Sequence, residues 1–320
     1  MLLSRFVVGM LSVGLVVLSA GVVSGQDYPN KSIRIVTRSP GGGSDLAART
    51  VAQGISGPLG QPVIVDYRGG GFLSADYVAK APPDGYTLAL GSTSLWIGPL
   101  LQQAPYDAVK DFSPISMTTR SPLLLVVHPS LPVKSVKELV ALAKARPGQL
   151  NYATTSIGAS THLSAELFKA MAAVNIMRIS YKTTSMQQAD LLSGEVQLAF
   201  GSGPSMAVHV KSGKLRALAV TSPEPSVLFP GLPTVASSGV PGYELEAIDG
   251  ILAPAKTPAA IINRLNQEMV RFLKPLEAKE RLLPSGVEAS GSSPEQFAAR
   301  IKSETAVLGK VIKDAGIRVD

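Results

Sequence analysis

The residues best placed to do chemistry in this chain are glycines and hydroxyls set between a strand and a helix. Pro40-Gly41-Gly42-Gly43-Ser44-Asp45 follows the apolar, β-branched run Ile33-Arg34-Ile35-Val36-Thr37 and precedes the helical pattern Leu46-Ala47-Ala48-Arg49-Thr50-Val51-Ala52. Consecutive glycines accept positive φ and let a ligand approach the backbone with no Cβ in the way. The first N–H groups of a helix have no partner within it, and the macrodipole makes that end positive. Strand, glycine loop and helix start in that order form a ready anion site. The same residues also read as a tight turn with Ser44 or Asp45 capping the helix. Two further loops share the composition. Gly91-Ser92-Thr93-Ser94 closes the strand Tyr86–Leu90, and Thr154-Thr155-Ser156-Ile157-Gly158-Ala159-Ser160 joins the strand Leu150–Ala153 to the helix His162–Phe168. The chemistry on offer is capture of a carboxylate by two opposed helix N-termini, each adding Ser or Thr hydroxyls to backbone donors.

Several other chemistries are excluded or disfavoured. The chain has no cysteine, so disulfides, thiolate metal sites and a lipid-modified cysteine are ruled out. His128, His162 and His209 lie far apart and in no metal-binding spacing. The formal charge of +7 is spread along the chain, which favours small anionic ligands over nucleic acid, and aromatics make up only 5%. Gly41-Gly42-Gly43 followed by Asp66 mimics a dinucleotide fingerprint, but Leu46 stands where the third glycine is needed for helix–strand packing. There is no G-x-S-x-G elbow, and no G-K-[ST] follows the glycines. His162, at a helix start, reads as a packed histidine rather than a catalytic base. Asp45 and Asp66 suit capping and strand-end roles. These residues favour a binding protein over an enzyme, with no cofactor and no metal.

The elements that must position the loops alternate strand and helix. Ile33–Thr37, Pro62–Asp66 and Tyr86–Leu90 are strands with helical segments between them, and Leu123–Val127, Leu150–Ala153, Ile176–Tyr181, Val196–Phe200 and Leu215–Val220 continue the series. The pattern predicts α/β layers with parallel strands, in which ligands sit beyond the carboxyl ends of the strands. Ser222 to Pro241 reads as a long irregular connection, and a last helix runs from about Pro294 to Ala315. Met1-Leu2-Leu3-Ser4-Arg5, an apolar run from Phe6 and the small residues before Gln26 read as a cleaved export leader. The expected organisation is a leader at 1–25, a first lobe from 26–122 and 221–320, and a second lobe at 123–220, closing by a hinge.

The same motifs, in their order and spacing, resemble a known family. Pro40-Gly41-Gly42-Gly43-Ser44-Asp45, Ala81-Pro82-Pro83-Asp84-Gly85-Tyr86-Thr87-Leu88 and His162-Leu163-Ser164-Ala165-Glu166-Leu167-Phe168 carry the resemblance. So do Asp190-Leu191-Leu192-Ser193-Gly194, the stretch Lys211–Val220, Pro233-Thr234-Val235 and Ala253–Pro258. Together they are similar to the substrate-binding receptors of tripartite tricarboxylate transporters, the Bug family of periplasmic solute receptors. The resemblance implies a two-lobed class II periplasmic-binding (Venus flytrap) fold, each lobe a mostly parallel sheet flanked by helices. It implies a periplasmic monomer that captures a small carboxylate and delivers it to a membrane permease of the tripartite tricarboxylate type. Carried onto this chain, the ligand-binding residues are Ser39, Gly41, Gly42, Gly43 and Ser44, with Thr155, Ser156, Gly158, Ala159 and Ser160 opposite and Ser92, Thr93 and Ser94 along the side. Arg38 stands where the family commonly has an aromatic residue. Gly201, followed by Ser202, stands where an acid is usual, and Ile248-Asp249-Gly250 replaces an aromatic-containing stretch. With a cation at 38 and no acid at 201, the expected ligand is purely anionic, without an amine. A receptor signalling through a membrane sensor is the alternative function, and an exported hydrolase a distant one.

Overall fold

The computed structural model describes residues 28–317, apart from 39, 41, 70, 71, 156 and 157; the expected leader lies outside the described residues. In chain order the elements are β1 Ile33–Thr37, α1 Gly42–Leu59, β2 Val63–Tyr67, α2 Leu73–Ala79, β3 Thr87–Ser92, α3 Thr93–Leu101, β4 Phe112–Val127, α4 Val136–Ala145, β5 Asn151–Thr154, α5 Ser160–Ala172, β6 Met177–Ser180, α6 Thr184–Ser193, β7 Leu198–Ser202, α7 Gly203–Lys211, β8 Arg216–Val220, β9 Glu246–Pro254, α8 Ala259–Leu273, α9 Leu276–Leu282, β10 Glu288–Ala289 and α10 Pro294–Asp314.

β1 is buried on both faces except at Arg34, because helices cover most of both. Ile33 and Ile35 pack with Ala48, Val51, Ala52 and Ile55 of α1, whereas Val36 joins the cluster that holds Trp96 and Phe297. β1 pairs in parallel with β2 and β3, and β5 pairs in parallel with β6 and β7. The strands between these flanks run the other way: β9 is antiparallel to β3 and β4, and β4 is antiparallel to β7, β8 and β10. The expectation of mostly parallel sheets is therefore corrected to a mixed sheet, parallel on its flanks and antiparallel where the chain crosses.

The sheet has two halves joined through β4. Its Phe112–Pro122 portion pairs with β9, and its Leu123–Val127 portion with β7 and β8. Thr221 ties the crossing together. It is fully buried, and its Oγ1 accepts from Leu123 N–H at 2.8 Å. Its own N–H reaches Leu123 O at 3.0 Å, and its carbonyl accepts from Leu245 N–H at 3.1 Å. α10 packs on β4, α3 and α5, with Phe297 edge-on to Trp96 at 5.9 Å.

Glu246 sits at this crossing, in register with Pro122. It is almost wholly buried, and its Oε1 has no hydrogen-bond partner. The nearby cation, Arg120, is engaged by Glu288 at 3.0 Å. Burial, reinforced by the carboxylates of Glu288, Glu304 and Glu224 and opposed by Arg120, pushes the Glu246 carboxyl up to about 7. The folded protein then holds a proton that the unfolded chain releases near the ordinary glutamate range. Stability should fall as pH rises through that window and level off above about 7. The expected outcome is that Glu246→Gln removes this slope, with a wild-type-to-variant difference of up to about 3 kcal/mol between pH 4.5 and 8. Urea denaturation across pH checks it; parallel curves for the two proteins would refute it.

Candidate functional site

A cleft of about 390 Å³ opens between the two halves. One wall carries Arg38 after β1, Ser44 in the first turn of α1, and Ser92, Thr93 and Ser94 at the β3–α3 junction. Its floor carries Thr119 and Ser121 of β4 and Ala247, Ile248 and Asp249 of β9. The opposite wall is Gly158, Ala159, Ser160 and Leu163 at the start of α5, with Ser202 and Pro204 at the β7–α7 junction. Ser285, Gly286 and Val287 close one side.

Helix starts dominate the lining because strands on both flanks end here: α3 and α7 begin at the residue after β3 and β7, and α1 and α5 after short loops. Their capping pattern is informative. α4, α6 and α10 are capped by Ser135, Thr183 and Ser293, each side chain accepting from the third helical N–H. α3, α5 and α7 begin after Ser92, Ala159 and Ser202, and none of these makes a side-chain cap. Ala159 has no oxygen to offer. Ser92 and Ser202 have one, but it is paired with Ser94 at 2.8 Å and with Ser205 at 2.7 Å. Cap-competent residues that leave helix donors unmatched beside a cavity keep those donors for a ligand.

His162 holds the second wall in shape. It is fully buried, stacks on Tyr152, and its Nδ1 accepts from Gly158 N–H at 3.0 Å. That bond needs a neutral ring. Burial supplies one, lowering its pKa to about 4 against the pull of Glu166. His162 is thus a packed residue supporting the loop, as its position predicted. Gly158 has φ +79°, and a Cβ there would lie 2.3 Å from Leu101 Cδ1 of α3. On the far side Gly286 has φ +72°, and a Cβ there would lie 2.0 Å from Pro204 Cγ of α7. Each glycine touches the opposite half, so the two halves meet on both sides of the cleft.

The structure brings most of the expected residues together. Arg38, Ser44, Ser92, Thr93, Ser94, Gly158, Ala159, Ser160 and Ser202 all line the cleft. Arg38 is exposed and forms its rim. Gly42 and Gly43 form the start of α1, while Ser39, Gly41 and Ser156 lie outside the described residues. Thr155 is half-buried and stands outside the lining. One premise is corrected. A side chain at 201 would point into Met206, so glycine there says nothing about charge in the cleft. An acid does line it, at Asp249. Ser44 Oγ donates to Asp249 Oδ1 at 2.7 Å and Thr119 Oγ1 to Oδ2 at 3.2 Å. Burial raises the Asp249 pKa, offset by these two hydroxyls and by Arg38. Among the described residues no cluster suits a metal ion, and no helix is long and apolar enough to cross a membrane.

Comparison with known proteins agrees with this architecture. Residues 47–317 match the family model described as the tripartite tricarboxylate transporter family receptor. The chain is similar to protein BugT of Bordetella pertussis, 35% identical over 316 residues and covering 96% of this chain and 97% of that one. It is also similar to a UPF0065 protein in the tcbD-tcbE intergenic region of Pseudomonas sp., 32% identical over 290 residues, with 89% and 86% covered. Among solved structures, R. palustris Rpa4515 with adipate superposes with a TM-score of 0.71 at 36% identity, covering 91% of this chain and 99% of that one. MatC from Rhodopseudomonas palustris with bound malate superposes at 0.66 and 25% identity, covering 89% and 100%.

The two glycine contacts generate a graded expectation. Alanine at a positive φ costs about 1–2 kcal/mol, and at 286 the obstructing atom belongs to a proline ring. Gly286→Ala should therefore weaken ligand binding by tenfold or more. Gly158→Ala should do less, because the Leu101 side chain can turn aside. Titrations of both variants with a ligand that binds the wild type check the order; equal or absent effects would show that contact across the cleft is irrelevant to binding.

Proposed function

The chain belongs to the tripartite tricarboxylate transporter receptor family, and from that premise we propose that it captures a small carboxylate in this cleft and delivers it to a membrane permease of the tripartite tricarboxylate type. Receptors of this family bind solutes in the periplasm. The observation that carries the carboxylate reading is the set of uncapped helix starts of α3, α5 and α7 around one cavity. In this reading the N–H groups of Ser160, Thr161 and His162, which no helical carbonyl can match, hold the carboxylate, and Arg38 at the rim adds long-range attraction. Each such helix end contributes about 0.3–1 kcal/mol toward an anion, more when partly buried. Relatives solved with adipate and with malate support the same ligand class.

The proposed lobes are 26–122 with 221–320, and 123–220. The change of β4 partners between Pro122 and Leu123 and the end of β8 at Val220 support these limits. Residues 1–25 act as a cleaved export leader, and the mature protein works as a monomer.

The test is a thermal-shift screen of residues 26–320 against mono-, di- and hydroxycarboxylates, followed by titration of Trp96 fluorescence. Trp96 is the sole tryptophan. It is buried in α3 with its Nε1–H donating to Glu304 Oε2 at 2.8 Å, so a ligand at the α3 start perturbs its surroundings. A carboxylate at a hundredfold excess over its Kd should stabilise the fold by about 2.7 kcal/mol. Stabilisation by sugars or cationic amines lacking a carboxylate, with none by carboxylates, would overturn the proposal.

A further inference from the structure

The floor of the cleft is polarised opposite to its α5 wall. Asp249 lies in the middle of the sheet, in register with Ser92 of β3 on one side and Thr119 of β4 on the other. Its backbone carbonyl accepts from Thr118 Oγ1 at 3.1 Å. Its two carboxylate oxygens each accept one hydroxyl, from Ser44 and from Thr119. A serine or threonine hydroxyl has a single hydrogen. Once that hydrogen is turned to Asp249, what Ser44 and Thr119 present to the cavity is oxygen lone pairs. The carboxylate has further lone pairs of its own. The floor at Asp249 is therefore a patch of acceptors beside the α3 start, while the start of α5 is a surface of donors. Arg38 and Asp249 also balance in charge, so the side chains of the cleft do not call for a doubly charged anion.

We propose that Asp249 is the specificity-determining residue of this cleft and that it selects carboxylates bearing a hydrogen-bond donor, a hydroxyl or an ammonium, over plain mono- or dicarboxylates. This rests on the carboxylate-receptor reading above and refines its substrate class. A second ionised carboxylate at this end would face Asp249 across a partly desolvated gap, where like charges repel strongly. A methyl group would leave the acceptors unmatched, and buried polar groups without partners are costly. A hydroxyl or ammonium satisfies them. The raised proton affinity of Asp249 adds a corollary: acidification removes the acceptor character and with it the selectivity.

The competing view is that Asp249 only ties α1 to the sheet through Ser44. The two roles separate in a matched series measured by isothermal titration calorimetry at pH 7.5. The probes are succinate, malate and aspartate, and hexanoate, 6-hydroxyhexanoate, 6-aminohexanoate and adipate. In the wild type the donor-bearing acids should bind at least tenfold tighter than the succinate, hexanoate or adipate of the same length. Asp249→Asn should cut that ratio below threefold and improve the dicarboxylates, because an amide supplies a donor and removes the charge. The wild-type arm needs no variant, so poor folding of Asp249→Asn leaves the substrate-class result standing. Succinate or adipate binding tightest to the wild type overturns the proposal while leaving the receptor reading intact. An unchanged ratio in a folded Asp249→Asn assigns the residue a structural role only. Absence of binding by every carboxylate to folded protein overturns both.

Discussion

β4 belongs to both halves of the sheet at once, and the cleft exists because it does. Its first part is fixed by β9 and its last part by β7 and β8, so the two halves share backbone hydrogen bonds along one continuous strand. A strand can twist between such partners but cannot slide, because a slip of one residue would turn every side chain to the other face. Thr221 locks the point of change with three bonds to residues on both crossings. Each half is thus held rigid by its own strand pairing, and the two join at Pro122–Leu123.

That rigidity is what makes uncapped helix starts useful. An unmatched N–H group on a mobile loop would be solvated and would have to shed water at each binding event. Here the donors sit at the ends of helices anchored by the strands that precede them. His162 fixes the last turn of loop before α5 by accepting from Gly158. The protein leaves about 0.5–2 kcal/mol of capping stabilisation unrealised at each of these ends. Three helices directed elsewhere recover it through Ser135, Thr183 and Ser293, whereas α2 and α8, which begin after Phe72 and Pro258, have no side-chain cap.

Much of this was legible in the residues. β1 and α4 fall on the expected limits because a β-branched run and a capped amphipathic pattern are local signals. The glycine–hydroxyl loops were found because backbone freedom and hydroxyls leave a compositional trace. The central elements were not read. The sequence pattern starts this strand at Leu123, because Phe112–Pro122 contains Pro114, Arg120 and Pro122 and alternates poorly; β4 tolerates this through irregularities of register against β9. β9 itself carries Glu246, Asp249 and Gly250 among its apolar residues, which reads as a loop. α3 and α7 contain prolines near their ends or starts, which masked short helices. The missed lining residues, Thr119, Ser121 and Asp249, lie on those unread strands. Their only trace was Ile248-Asp249-Gly250, an acid placed just before the apolar run Ile251-Leu252-Ala253. Gly201 misled for the complementary reason: sequence gives the residue type at a strand end but not the direction of its Cβ.

The alternation of β9 explains how one strand can carry two acids with different consequences. Side chains along a strand point to opposite faces in turn. Ala247 and Asp249 are half-open and line the cleft, Ile248 is buried and only borders it, and Glu246 and Gly250 are buried outside its lining. Burial raises the proton affinity of Asp249, and two hydroxyls and Arg38 oppose that rise, so its carboxylate oxygens are matched where Glu246 has one that is not. Glu246 keeps an oxygen without a partner, among other carboxylates and beside an arginine already engaged. An ionised group in that setting is destabilising and a protonated one is tolerated. Three residues apart, the strand thus separates two functions of a carboxylate. One face presents fixed polarity to the cleft, and the other places a titratable group beside the crossing.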